Sequence, residues 1–175
     1  MISFKKFCEE NNIKLDTLSN FDIIRIAKQL KIKSFRGVFM RDSLPKKIKT
    51  NECGIVNLEP ESEKGSNWCC YYKKGKEIYY FDSYGLNPTN ELLKYLKNTT
   101  KNQVVMSTFE IQKFGTNICG QISLYVLYLL SQNYKFIDIL LSLMTEFHSN
   151  KKSGGDLKDD IEAVDSIATI AEFLV

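Results

Sequence analysis

The chain has 175 residues, 43% hydrophobic and 26% charged, with nine glycines and three prolines. This is the balance of one globular domain, and it excludes collagen-like, linker-dominated and disordered chains. The formal net charge of +3 is graded, with 12 Lys and Arg against 7 Asp and Glu in residues 1–60, 9 against 8 in 61–150, and 3 against 6 in 151–175.

In chain order, Ser3 to Asn11 and Ser19 to Leu30 each read as a short helix. The second has Ser19 or Asn20 as cap and Phe21, Ile24, Ala27 and Leu30 at helical spacing. Residues 33–50 are basic and read as a loop punctuated by Gly37 and Pro45. Cys53 to Leu58 is a strand, and Glu59 to Ser66 a polar loop. Two β-rich runs, Asn67–Lys73 and Lys76–Asp82, surround Lys74-Gly75. Gly85 to Pro88 is a turn, after which Thr89 caps a helix carrying Leu92, Leu93 and Leu96. A strand near Gln103–Ile111 and a polar turn at Phe114–Asn117 follow. Residues 118–131 are apolar on nearly every side, which places that helix in the middle of the fold. A further helix spans about Tyr134–Phe147. Lys151 to Asp156 is a polar hinge, and Asp159–Leu174 an amphipathic helix with Ile161, Val164, Ile167 or Ala168, and Ala171. The expected fold is α+β, a mixed sheet flanked by helices in a single domain, 1–175. Residues 1–32 are its N-terminal helices, 33–132 its core, and 151–175 its hinge and last helix.

The opening MISFKKFCEE has neither an apolar h-region nor a small-residue cleavage site. The longest apolar run, Leu124 to Leu130, is far short of a membrane span. A soluble intracellular chain, not secreted and without membrane contact, is therefore expected. Of five cysteines, none has CxxC spacing, and Cys69 and Cys70 are adjacent, so in a strand they point to opposite faces. With a single histidine, His148, no metal site is expected, and the cysteines read as free thiols. No cofactor is implied.

A hairpin centred on Lys74-Gly75 pairs residues whose numbers sum to 149. Tyr72 then faces Glu77, Cys70 faces Tyr79, and Asn67 faces Asp82 at the open end. Taken alone, an Asn beside an Asp at a hairpin mouth is ordinary turn chemistry. Cys119 follows Thr116 and Asn117, two candidate caps, and opens the buried helix. There the helix dipole favours thiolate, Gly120 keeps the approach to the sulfur open, and nearby N–H groups could form half an oxyanion hole. A core cysteine starting a core helix is the plainer reading of the same residues.

Glu52-Cys-Gly-Ile-Val-Asn-Leu58, Gly65-Ser-Asn-Trp68, Tyr79-Tyr-Phe-Asp-Ser-Tyr-Gly85, Gln112 and Asn117-Ile-Cys-Gly120 come in one order. Together they resemble the adenain clan of cysteine peptidases, which includes adenovirus maturation proteases and SUMO and ubiquitin-like proteases. Phe35-Arg-Gly-Val-Phe-Met-Arg-Asp42 with Leu44-Pro45 is similar to the virophage and Polinton branch. The resemblance covers about residues 33–132. It implies an adenain-like fold with the nucleophile at the N-terminus of a buried central helix. It also implies an endopeptidase that processes viral precursor or capsid proteins after small residues such as glycine. By position, Cys119 matches the nucleophile, Asp82 the acid that orients the base, and Gln112 the side-chain donor of the oxyanion hole.

Asn67 stands where that clan has its catalytic histidine. An amide does not take up a proton near neutral pH, so it can neither form a thiolate–imidazolium pair nor protonate the leaving amine. His148, 29 residues after Cys119 at a helix end, is not expected to replace it. The expectation is thus a peptidase scaffold without its base, either a natural pseudoenzyme or a knockout of a working protease. The intact Cys119, Asp82 and Gln112 favour a knockout or variant of an active enzyme. The alternatives are a clan member acting on ubiquitin-like proteins and a pseudoprotease that binds peptides. A monomer with weak, sequence-independent DNA contact through the basic N-terminal third completes the expectation.

Overall fold

The structure, a computed structural model, describes residues 1–97, 103–113 and 115–148. The described elements are, in chain order, α1 (Phe4–Glu10), α2 (Asn20–Gln29), β1 (Phe35–Met40), β2 (Asn51–Asn57), β3 (Trp68–Lys74), β4 (Glu77–Phe81), α3 (Asn90–Lys97), β5 (Val104–Met106), α4 (Cys119–Ser131) and α5 (Phe136–His148). The strands form one sheet in the order β1-β2-β3-β4-β5. Its outer pairs, β1 with β2 and β4 with β5, are parallel, and its inner pairs antiparallel. The fold is α+β with a mixed sheet. Among the described residues, no helix is long and apolar enough to cross a membrane.

Strand alternation divides the core into two. Cys53, Ile55, Trp68, Cys70 and Phe81 pack under α1, α2, α4 and α5. Val56, Cys69, Tyr71, Ile78 and Tyr80 pack against Leu92, Tyr95 and Leu96 of α3. The adjacent Cys69 and Cys70 thus fall on opposite faces, as period-two geometry requires. Helix α4 is buried along almost its whole length and lies over β3. Being apolar all round, it has no face that prefers water.

Four expectations are corrected. Residues 35–40 form strand β1 within the stretch read as a loop; every residue of this edge strand is half-buried, so no polar–apolar alternation marks it. Helix α2 is rotated from the expected face. Its buried residues are Ile23, Ile26 and Ala27, while Phe21 is 77% and Ile24 43% exposed. Pairing in the β3–β4 hairpin sums to 151, with Tyr72 opposite Tyr79 and Cys70 opposite Phe81. Gly75, at φ +61°, takes the first place of the two-residue loop Gly75-Lys76, where a type II′ turn requires positive φ. Finally, β5 stops at Met106 rather than running on towards Ile111. Beyond it the chain folds back, and the Ile111 and Gln112 N–H groups donate to the Ser83 carbonyl at 2.8 and 2.9 Å. The expected hinge at 151–156 and last helix at 159–174 lie outside the described residues.

Candidate active site

The site lies where β3 begins, β4 ends and α4 begins. Asn67 and Trp68 are consecutive, and each touches one of the other two elements. The Asn67 amide donates from Nδ2 to Asp82 Oδ2 at 2.5 Å. The Trp68 backbone N–H donates to Cys119 Sγ at 3.4 Å. The expected pairing of Asn67 with Asp82 is thus present, although the register that predicted it is not. Moving the sum from 149 to 151 preserves parity, so the two side chains stay on one face and become diagonal neighbours, still within reach.

Asp82 is fully buried, and its two oxygens have separate tasks. Oδ1 accepts from the Tyr84 and Leu86 N–H groups at 2.9 and 3.1 Å, which pins the carboxylate to the turn after β4. Oδ2 is left to face residue 67. Burial raises the Asp82 carboxyl above its ordinary range, and the hydrogen bonds from Leu86, Tyr84 and Asn67 only partly offset it. Asn67 is 6% exposed, and its Oδ1 has no hydrogen-bond partner among the described residues. A buried acceptor left unpaired costs about 1–3 kcal/mol.

Cys119 is the first residue of α4 and 7% exposed. Ile118 is the N-cap and supplies no side-chain hydrogen bond. The candidate caps do not act as expected: the Thr116 hydroxyl instead donates to the Lys113 carbonyl at 2.8 Å. Burial pushes the thiol above its ordinary value and the Asp82 charge adds to this, while the Trp68 and Gly120 N–H groups pull it back. The expected bias towards thiolate at the helix start is therefore outweighed by desolvation. Gly120 also serves differently from the expectation. A Cβ there would lie 3.3 Å from the Trp68 ring, 3.4 Å from Ile23 and 3.5 Å from Leu18. Its missing side chain lets Trp68 and α2 close onto the start of α4, and the Trp68 indole N–H donates to the Leu18 carbonyl at 3.1 Å.

Gln112 is fully buried and held by three groups. Its Oε1 accepts from the Ser83 hydroxyl at 2.8 Å. Its Nε2 donates to the Thr116 carbonyl at 2.6 Å and to the Tyr84 hydroxyl at 3.0 Å. Tyr84 in turn donates to the Thr116 carbonyl at 2.8 Å. The amide thus points its hydrogens at the turn that leads into Cys119, but both of them already have acceptors. The sequence reading missed Ser83 and Tyr84, although both belong to the Phe-Asp-Ser-Tyr-Gly run and so are carried beside Asp82 by the same turn. His148 ends α5, its Nε2 3.0 Å from the Glu110 carbonyl. A cavity of about 330 Å³ lies at the other end of β3 and β4, lined by Tyr72, Lys74, Tyr79 and Phe136, and belongs to a different region.

No protein-family model and no curated protein matches the chain. Solved structures do. The crystal structure of ASFV pS273R protease superposes with a TM-score of 0.50 at 14% identity, covering 77% of this chain and 67% of that one. The selenomethionine form of the same protease gives 0.51 at 14%, with 77% and 68% covered. At this identity the likeness is one of fold.

Proposed function

We propose that the chain is a cysteine endopeptidase scaffold, of the kind that trims viral precursor proteins after small residues, with the general base missing at position 67. One observation carries the proposal: consecutive residues 67 and 68 touch the buried acid and the thiol respectively. A side chain at 67 oriented by Asp82 is where a base serving Cys119 belongs. The fold shared with ASFV pS273R protease supports it, and so does the orphaned Asn67 Oδ1, which marks a buried polar position whose present occupant is incompletely satisfied.

The chemistry follows from the groups present. Cys119 must lose its proton to attack a carbonyl, and burial keeps that proton on. Asn67 cannot take it, nor return one to the leaving amine. The Trp68 N–H stabilises the sulfur without moving a proton. For Gln112 to serve a developing oxyanion, a substrate oxygen must replace the Thr116 carbonyl or the Tyr84 hydroxyl as acceptor. The first chemical step therefore stalls for want of a group that takes up the thiol proton. These occupied donors also favour a second reading, a pseudoprotease that holds peptides without cutting them.

The deciding experiment is Asn67→His. An imidazole bonded to Asp82 through one nitrogen presents the other to Cys119, and general acid–base catalysis contributes about 10²–10⁴-fold. We expect turnover of a fluorogenic peptide ending in Gly-Gly before the scissile bond, lost again in Asn67→His/Cys119→Ala. A folded Asn67→His protein with the same turnover as the unaltered chain would overturn the assignment of residue 67.

A further inference from the structure

Helix α2 presents two faces. Ile23 and Ile26 enter the core beside α4. On the other side, Phe21, Ile24, Arg25 and Lys28 are all exposed, and their spacing of i, i+3, i+4 and i+7 makes them one stripe. The stripe is apolar at its start and cationic towards its end. Leu15, 57% exposed, lies just before the helix. A single exposed apolar residue is ordinary, but a phenylalanine this open with an isoleucine one turn on is a patch that water solvates poorly.

The complement to this stripe is in the same chain. Residues 159–174 repeat apolar positions at helical spacing, Ile161, Val164, Ile167 and Ala171, interleaved with Asp159, Asp160, Glu162 and Asp165. Residues 151–175 hold 3 Lys against 6 Asp and Glu. An acidic amphipathic segment thus matches an apolar stripe flanked by Arg25 and Lys28 in both hydrophobicity and sign.

The geometry permits the match. Helix α5 begins beside β4, with the Phe136 and Tyr79 rings 5.0 Å apart, and ends at His148 beside Glu110. It packs on α4, and α2 packs on α4 and β1, so the two helices share one neighbour. Helices packed side by side stand about 8–10 Å apart, which puts the α2 axis no more than about 20 Å from the α5 axis. Ten residues, 149–158, can span about 33 Å when extended.

We infer that the segment 159–174 docks in cis on the α2 face formed by Phe21, Ile24, Arg25 and Lys28. Because Ile23 on the inner side of α2 abuts the Gly120 position, the docked segment lies one helix away from Cys119. The inference stands independently of any peptidase activity.

Hydrogen exchange by mass spectrometry on the full chain tests it. Amides of 161–171 are expected to exchange at least about tenfold more slowly than in a free peptide of residues 149–175. That protection is expected to vanish in Phe21→Ser/Ile24→Ser and in Arg25→Glu/Lys28→Glu, while α4 stays protected in both. Peptide-like exchange in the unaltered chain would overturn the docking. So would protection that survives both variants, because the segment then binds elsewhere, or protection that grows with protein concentration, because it then lies on a second copy.

Discussion

The Cys119 thiol accepts a backbone N–H bond from Trp68 in a site where burial opposes its ionisation. A thiolate would accept the same bond more strongly, since charge-assisted bonds are roughly twice as strong as neutral ones. Burial pushes Cys8 and Cys53 up to about 12, and Cys70 well above the ordinary value. With its greater exposure and its N–H donors, Cys119 is expected to alkylate first among the five cysteines, although slowly at neutral pH. Its rate should climb steadily with pH, because the thiol rather than the thiolate is the resting form. In Asn67→His an imidazolium partner should raise the rate at neutral pH by about tenfold or more and give the profile a plateau. Peptide mapping after limiting iodoacetamide reads both effects. Cys119 as the slowest of the five would leave it a core cysteine.

At the scale of the element, α2 shows how packing chooses between two faces that look alike. Ser19 caps it with a reciprocal box: the Asp22 N–H donates to Ser19 Oγ at 3.2 Å, and the Ser19 N–H donates to Asp22 Oδ2 at 3.1 Å. The start was therefore readable from local chemistry. The face was not, because apolar residues at 21, 23, 24, 26, 27 and 30 satisfy helical spacing along more than one stripe. Contact with α4 and β1 selects Ile23 and Ile26. Ile23→Ala is expected to cost about 3 kcal/mol in urea unfolding, as a fully buried truncation does. Phe21→Ala should cost clearly less, about 1 kcal/mol at most, since it removes only contact with the docked segment and nothing from the core. Equal losses at the two positions would contradict the observed rotation.

For the whole molecule, a buried carboxylate ties the helix α3 side together. Glu52, on β2, accepts from Tyr95 Oη at 2.5 Å, Tyr71 Oη at 2.7 Å and the Lys49 N–H at 2.8 Å, and pairs with Arg36 of β1. Burial alone would raise this carboxyl, but the bonds from Tyr95, Lys49, Tyr71 and Arg36 outweigh it and hold it below its ordinary value. A lowered carboxyl stabilises the fold above the unfolded value, about 4.3, and that contribution is lost as pH falls through the folded value. Glu52→Gln is expected to cost about 3 kcal/mol at neutral pH, since it leaves Arg36 without its counter-charge. The difference should shrink between neutral pH and an acid pH below the folded value, where the native side chain takes up its proton. Urea titrations at both pH values measure it, and a difference that does not change with pH would mean that Glu52 is not ionised in the fold.

The chain by itself determined the helix starts at Ser3 and Ser19, the buried central helix and the opposite faces of Cys69 and Cys70. All of these depend on interactions within a few residues or on the period of a single element. It also brought Asn67 to Asp82 despite a misplaced turn, because the strand period of two survives a shift by one residue in each strand. Only the tertiary structure decided that residues 35–40 form an edge strand, that α2 turns Phe21 outward, and that Ser83 and Tyr84 hold Gln112. It alone also decided that burial raises the Cys119 thiol above its ordinary value. The reason is common to all four: each depends on neighbours distant in sequence, whose approach sets the burial and the hydrogen-bond partners that no local pattern carries.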